Sequence, residues 1–397
     1  MPHAKISYWF PLAIVFFEIF TYLANDMYLP GLPMLMAEFG ISQHLAQDTL
    51  LYWFLGSASM QLLMGPLSDR YGRKIVLIFG VLCFTGASYI CANTASIFIF
   101  LICRFIQGCS VSSVVVAGYA AVHETFETKI AIKIIALMGS VVILAPAFGP
   151  ILGALVIEFS NWRMIFNILS LGGVTSLLLL VFAMPGLQKE NHPLHLREIF
   201  KDYWRIGTRK AFLTFALPFC FMFLSLICWV VESPFILVEH YHQSTIAYGL
   251  IQLYVFGFFI IGAQITGFAV NRVSPIMLIK IGLLVALVAS TGFVLACLST
   301  SPLYVMIICM MFVALGLAMT FGPLSRFAIE ACTEPMGRRM AIFSSYMSIF
   351  GVFSTLLVTF VKTDSMQYLA WMVYAGIICS SFIFCLGKVK NNIGAKQ

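Results

Sequence analysis

The chain is a succession of apolar runs, each long enough to cross a bilayer as a helix, parted by short polar or Gly/Pro-marked breaks. In hydrocarbon every backbone N–H and C=O must be paired within the protein, so runs of about 20 apolar residues admit a helix and little else. Cutting at the breaks gives twelve predicted spans, at residues 8–34, 47–65, 75–93, 97–122, 131–157, 163–184, 212–238, 246–270, 275–297, 302–328, 339–361 and 366–386. With 61% hydrophobic and only 10% charged residues among 397, the composition excludes a soluble domain. The expected fold is an all-α membrane protein with no room for a sizeable domain outside the bilayer.

The first run, from Tyr8 to Pro33, is too long and too polar inside for a signal peptide, and no small-residue cleavage site follows it. It is expected to stay as span one. The basic residues then sort into alternate loops. Lys5, then Arg70, Arg73 and Lys74, then Lys129 and Lys133, then Lys189, Arg197, Lys201, Arg205, Arg209 and Lys210 fall on one side. Arg272 and Lys280, Arg326, Arg338 and Arg339, and Lys388, Lys390 and Lys396 fall on the same side, against Arg163 and Lys362 on the other. Basic loops stay cytoplasmic, so both termini are expected there, in a multi-pass protein of the inner (cytoplasmic) membrane. The net charge of +7 is thus a topology signal and implies no nucleic-acid partner.

The longest polar stretch, about 186–211, divides the chain into an expected N-terminal bundle, 1–185, and a C-terminal bundle, 212–397, of six spans each. Within it Leu196, Ile199, Phe200, Tyr203 and Trp204 recur at helical spacing among Lys and Arg, which fits an amphipathic helix on the membrane surface as well as a plain linker. The run Gly65-Pro-Leu-Ser-Asp69-Arg70-Tyr-Gly72-Arg73-Lys74 has a degenerate counterpart near Gly267 to Arg272, with Asn271 before the Arg. A repeat of this kind places a substrate site between the halves, near the midplane.

Glu18 and Asp26 lie inside the first span, where a carboxylate is expensive and faces the bundle interior or a wet cavity. At about 100° per residue Glu18, Tyr22, Asn25 and Asp26 share one broad helix face. They can line a cavity that handles protons and substrate, or simply hold neighbouring helices together. Arg104, alone at membrane depth, needs a partner, for which Asp26 and Glu18 are candidates, with Gln107 one turn along. The eleven Cys are scattered without a CxxC, and the seven His sit at span ends or in loops, so neither a disulfide framework, a metal site nor a haem centre is indicated. No GxxxxGK[ST] run is present, so ATP is not expected as the direct energy source.

Three motifs carry a resemblance. The Gly65–Lys74 run resembles the loop signature between spans two and three of the major facilitator superfamily. Gly65 and Gly72 would permit close packing and a tight turn, while Asp69 can sit near a helix N-terminus or pair with Arg. Arg104-Phe-Ile-Gln107-Gly108 resembles the span-four signature, whose Arg is implicated in proton coupling. Gly139, then Ala145-Pro146-Ala-Phe-Gly149-Pro150-Ile-Leu-Gly153, resembles the span-five signature of the drug/proton antiporter branch; small residues there allow tight helix contact and the prolines a hinge. Further stretches, Tyr119 to Glu127, Ser233-Pro234 and Tyr248-Gly249, extend the likeness along the chain.

The resemblance implies a major facilitator fold of twelve helices and a monomeric antiporter for lipophilic, often cationic, small molecules. Glu18, Asp26 and Arg104 would handle protons; Tyr22, Asn25 and Tyr119 would line the pocket; Glu124 would sit at the cytoplasmic mouth. Glu232, where the branch is expected to carry a neutral amide, either adds a proton or substrate site or lies at the outer headgroup level and does little. No cofactor beyond the coupling proton is expected. A dedicated exporter of one metabolite or siderophore would use the same parts; a membrane-embedded enzyme is disfavoured by the lack of paired His or a nucleophile motif.

Overall fold

The computed structural model describes residues 9–184, 196–299, 301–361 and 365–387. Of the basic residues that set the topology, Lys5, Lys189, Lys362, Lys388, Lys390 and Lys396 lie outside them, as do the side chains of Lys129 and Leu196. The first part of the chain forms α1 (Trp9–Asp26), α2 (Leu32–Phe39), α3 (Gln43–Tyr71), α4 (Arg73–Asn93), α5 (Ile97–Ser113), α6 (Tyr119–Thr125), α7 (Thr128–Phe159) and α8 (Trp162–Ala183). After α9 (Leu196–Thr208) come α10 (Lys210–Pro234), α11 (Thr245–Ala269), α12 (Pro275–Leu298), α13 (Leu303–Glu330), α14 (Met336–Val361) and α15 (Met366–Leu386). Several starts are set by the residue before them: Ser42, Asn161, Ser244, Ser274 and Ser365 accept a backbone N–H of the first turn of α3, α8, α11, α12 and α15.

Among the described residues eleven helical stretches are long and apolar enough to cross a membrane. The twelfth crossing is α3, whose 29 residues exceed the predicted 47–65 at both ends but carry more polar groups. Its polarity is turned inward: Gln47, Thr49, Ser57 and Gln61 are buried, while Leu55, Leu63 and Leu67 are exposed. The first span also departs from the expected continuous helix. α1 stops at Asp26, a 3₁₀ turn follows at Leu29–Gly31, and α2 resumes to Phe39. Pro30 and Pro33 lack the N–H that would carry the ladder through. Two π-helical turns, Val114–Gly118 and Phe235–His240, join α5 to α6 and extend α10.

Helices α1 and α3–α8 pack mainly on one another, as do α10–α15; the two sets meet along α3 with α14 and along α7 with α11. The turns carrying the basic loops lie on one face of the bundle, the basic face. On the opposite face Arg163 joins Glu38 (2.8 Å) and donates to the carbonyls of Ala92 and Thr94, closing the ends of α2, α4 and α8 together.

The polar stretch between the sets contains a helix, as its spacing allowed. α9 buries Ile199, Tyr203 and Ile206 and leaves Phe200 and Trp204 exposed. It is fastened to both sets: Tyr203 donates to the Leu62 carbonyl (3.3 Å), Tyr346 donates to the Gly207 carbonyl (2.9 Å), and Asp202 pairs with Arg338. Burial pushes the Tyr203 phenol up to about 12, so it remains a neutral donor at physiological pH.

Candidate functional site

The face of α1 predicted to be polar is turned into the first set of helices. Glu18 is fully buried and Asp26 nearly so, with Asn25 buried in the last turn of α1 and Tyr22 half-buried. Tyr119, at the start of α6, donates to Glu18 Oε1 at 3.2 Å. Glu18 Oε2 is buried with no hydrogen-bond partner among the described residues. Asn25 Nδ2 donates to Asp26 Oδ1 at 3.2 Å, and Asn25 Oδ1 is likewise buried and unpartnered. Carboxylates in such surroundings bind a proton or a cation, because either one removes a charge that burial penalises.

Arg104 is fully buried, but its partners are not the carboxylates. Nη1 donates to the Ala24 carbonyl (2.8 Å) and to Gln107 Oε1 (2.7 Å), Nε to the Thr49 carbonyl (3.1 Å), and Nη2 to the Tyr28 hydroxyl (3.3 Å), with the guanidinium 4.5 Å from the Tyr28 ring centroid. No ion pair links Arg104 to Asp26 or Glu18 among the described residues. Tyr28 in turn bonds Thr49, and Thr49 donates to the Ala46 carbonyl, so the chain of donors ends on backbone. The Arg104 guanidinium thus meets the C-terminal end of α1, where orphan carbonyls favour a cation, at Ala24, two residues before Asp26.

The span-five signature supports the break after α1. A Cβ on Gly149 would lie 2.8 Å from Asp26 Cβ, and one on Gly153 would overlap the Met27 carbonyl. Only glycine lets the backbones approach this closely. On the other side of α7, two residues from each glycine, Ile151 packs on α11, where a Cβ on Gly249 would be 2.8 Å from its Cα. α7 is continuous through Pro146 and Pro150, so the expected hinge is not a break in the helix. Gly139 faces open space, with nothing within 4 Å of an added Cβ, and Gly65 makes only ordinary contacts.

At the basic face Asp69 and Arg73 flank the turn at Gly72. Arg73 pairs with Asp69 (2.5 Å) and with Glu124 (2.8 Å) and donates to Ser68. Lys74 donates to the Val181 carbonyl at 3.0 Å and to that of Met184. Arg70 takes no part; it is exposed and stacks over Tyr71. Gly72 has φ +93°, a left-handed turn that glycine adopts freely, which reverses the chain between α3 and α4.

The second set contributes groups that local patterns flagged weakly or missed. Trp229 donates to Gln252 Oε1 (3.0 Å), and Gln252 donates to Ser233 (2.7 Å). Tyr248, fully buried, has a hydroxyl with no hydrogen-bond partner among the described residues. Glu232 is buried where the sets meet, with its oxygens on Gln43 and Gln47 of α3. The signal for Gln47, Gln252 and Thr49 was present as single polar residues within apolar runs, but nothing in the runs says which partner each finds.

Twelve crossing helices in two sets among the described residues, with two acids and a guanidinium buried in the first set, define a polytopic membrane carrier. The chain belongs to the Major Facilitator Superfamily, whose family model matches residues 14–355. It is similar to the chloramphenicol resistance protein CraA of Acinetobacter baumannii, 33% identical over 83% of this chain and 80% of that protein. The multidrug transporter MdfA of Yersinia pestis is 34% identical over 71% of this chain and 70% of its own. The multidrug resistance protein MdtM of Escherichia coli O157:H7 is 32% identical over 83% and 80%. Among solved structures, the xylose transporter XylE from E. coli, in a partially occluded inward open conformation, matches with a TM-score of 0.72 over 96% of this chain and 99% of that one; at 15% identity this likeness speaks for the fold alone.

Proposed function

We propose that the chain is a proton-coupled multidrug efflux antiporter of the inner membrane, exporting lipophilic and often cationic compounds by alternating access. The observation that carries the reading is the pair of buried carboxylates on α1, of which Glu18 has one oxygen held by Tyr119 and one without a donor. The names of the relatives, a multidrug transporter, a multidrug resistance protein and a chloramphenicol resistance protein, support the substrate class.

In this reading the basic face is cytoplasmic, with both termini on that side, and the halves 1–185 and 212–397 rock about the seam under the linker. Asp26 or Glu18 takes a proton while the site faces outward. Neutralising that acid weakens cation binding and allows return to the inward-facing form, where arriving substrate displaces the proton. Tyr22, Asn25 and Tyr119 line the pocket. Arg104 keeps a positive charge at the end of α1 beside Asp26 and acts on that acid through the backbone it holds. The protein works as a monomer, without a cofactor and without enzymatic turnover.

The test uses purified protein in detergent at weak buffering, to which tetraphenylphosphonium is added while pH is recorded. Proton release that disappears in Asp26→Asn or Glu18→Gln is expected. Tight binding without release would remove the acids from the exchange site and overturn the coupling scheme.

A further inference from the structure

Glu232 is the third buried acid of the spans, and its surroundings differ in kind from those of Glu18 and Asp26. It lies on α10, the first helix of the second set, yet both of its oxygens are held by the first set. Gln43 Nε2 donates to Oε1 at 3.1 Å and Gln47 Nε2 to Oε2 at 2.6 Å. Gln43 and Gln47 are one turn apart at the start of α3, so they present two amides to one carboxylate from the same helix face. Gln47 is engaged by the second set a second time, through Thr359 of α14, which donates to its Oε1 at 3.4 Å. The turn of α10 that bears Glu232 is itself fixed, because Ser233 receives Gln252, which receives Trp229. The whole cluster lies toward the face opposite the basic loops.

From this geometry we infer that Glu232 is a gating residue of the transport cycle: its carboxylate, clasped by Gln43 and Gln47 across the seam, holds the face opposite the basic loops shut, and that face opens by releasing the clasp. A hydrogen bond to a charged group is among the stronger polar contacts a protein makes, and it exists here only while the two sets are together. Truncating one partner leaves the others to water, so the open state gains relative to the closed one. A neutral amide at this position would clasp more weakly, which makes Glu232 a setting of the closed-to-open ratio and not a second substrate site. The inference rests on the alternating-access part of the proposed function and is independent of which compounds are carried.

The test reads conformation directly. Spin labels are placed at exposed Asn93 and Ser299, at the ends of α4 and α12 on the face in question, in a chain whose accessible native cysteines are replaced. Distances are measured in lipid nanodiscs at low and high pH, with and without tetraphenylphosphonium. Glu232→Ala is expected to lower the closed-to-open ratio about tenfold, the size of one charge-assisted hydrogen bond. Gln43→Leu/Gln47→Leu, altered only on the other side of the seam, is expected to do the same. The exchange Glu232→Gln/Gln47→Glu moves the carboxylate across the seam and is expected to restore the ratio to within about twofold, an outcome that mere disturbance of folding would not give. Unchanged distances in both truncations, or an exchange that fails to restore them, would overturn the assignment. A wild-type chain with one distance under every condition would overturn alternating access, and the clasp with it.

Discussion

Tyr119 and Glu18 are joined by one hydrogen bond of 3.2 Å that links the start of α6 to the middle of α1. It is the only donor to the Glu18 carboxylate among the described residues, and the second carboxylate oxygen, also buried, has none. A half-held carboxylate in the core of a membrane bundle is ready for a cation or proton and is unattractive otherwise.

Removing that donor separates holding from charge. Tyr119→Phe is expected to leave the fold intact and weaken binding of a lipophilic cation about tenfold, the value of a hydrogen bond to a charged group. Glu18→Gln should abolish substrate-driven proton release while the protein stays monodisperse. Isothermal titration at weak and strong buffering gives both readings from one preparation.

Arg104 ties α1, α3 and α5 through two carbonyls and two side chains. Arg104→Ala leaves those buried acceptors without their donor and is expected to cost at least about 1–3 kcal/mol, the penalty of one unsatisfied buried group. Arg104→Lys keeps the charge but not the planar fork, so an intermediate loss is expected. Thermal unfolding of the two variants in the same detergent settles the order; equal losses would mean that the fork contributes nothing.

The glycines of α7 give a contrast within one helix. Gly153→Ala drives a methyl into the Met27 carbonyl and is expected to destabilise by about 1–3 kcal/mol. Gly139→Ala meets nothing within 4 Å and should be neutral, or stabilising by up to about 1 kcal/mol through helix propensity. Melting temperatures that fall equally in both would show that contact with α1 is not what Gly153 serves.

At the basic face, Arg73 is mostly buried while Asp69 and Glu124 are about half exposed, at 52% and 48%. Each pair is therefore screened, and Glu124→Gln should lower stability by less than about 1 kcal/mol. Arg73→Ala removes three partners at once and should cost more. The wild-type melting temperature is expected to fall with added salt by an amount that Arg73→Ala abolishes.

The crossing helices were readable because bilayer thickness and backbone pairing leave an apolar run one option. The polar face of α1 was readable for the same reason, since Glu18 and Asp26 stand out against hydrocarbon. The break after Asp26 was less so, because Pro30 stops a ladder without saying where the chain resumes. The partners of Arg104 were not readable, because a carboxylate is the obvious counter-charge in a sequence whereas the end of α1 supplies carbonyls that no side-chain letter records. Nor was the Glu232–Gln47 contact, in which the two residues are 185 positions apart and neither run marks the other.

The inward polarity of α3 has a consequence for how the protein is made. A segment enters the bilayer from the translocon according to its summed side-chain transfer cost, and α3 carries Gln43, Gln47, Asp48, Gln61 and Asp69 along its length. Gln43, Gln47 and Gln61 find their partners on α5, α10 and α14, and the last two are synthesised much later. The second crossing must therefore be retained near its neighbours during biogenesis before it is stable in lipid on its own account. Leu55, Leu63 and Leu67, which contribute little to the finished interior, are the residues that carry it through that interval.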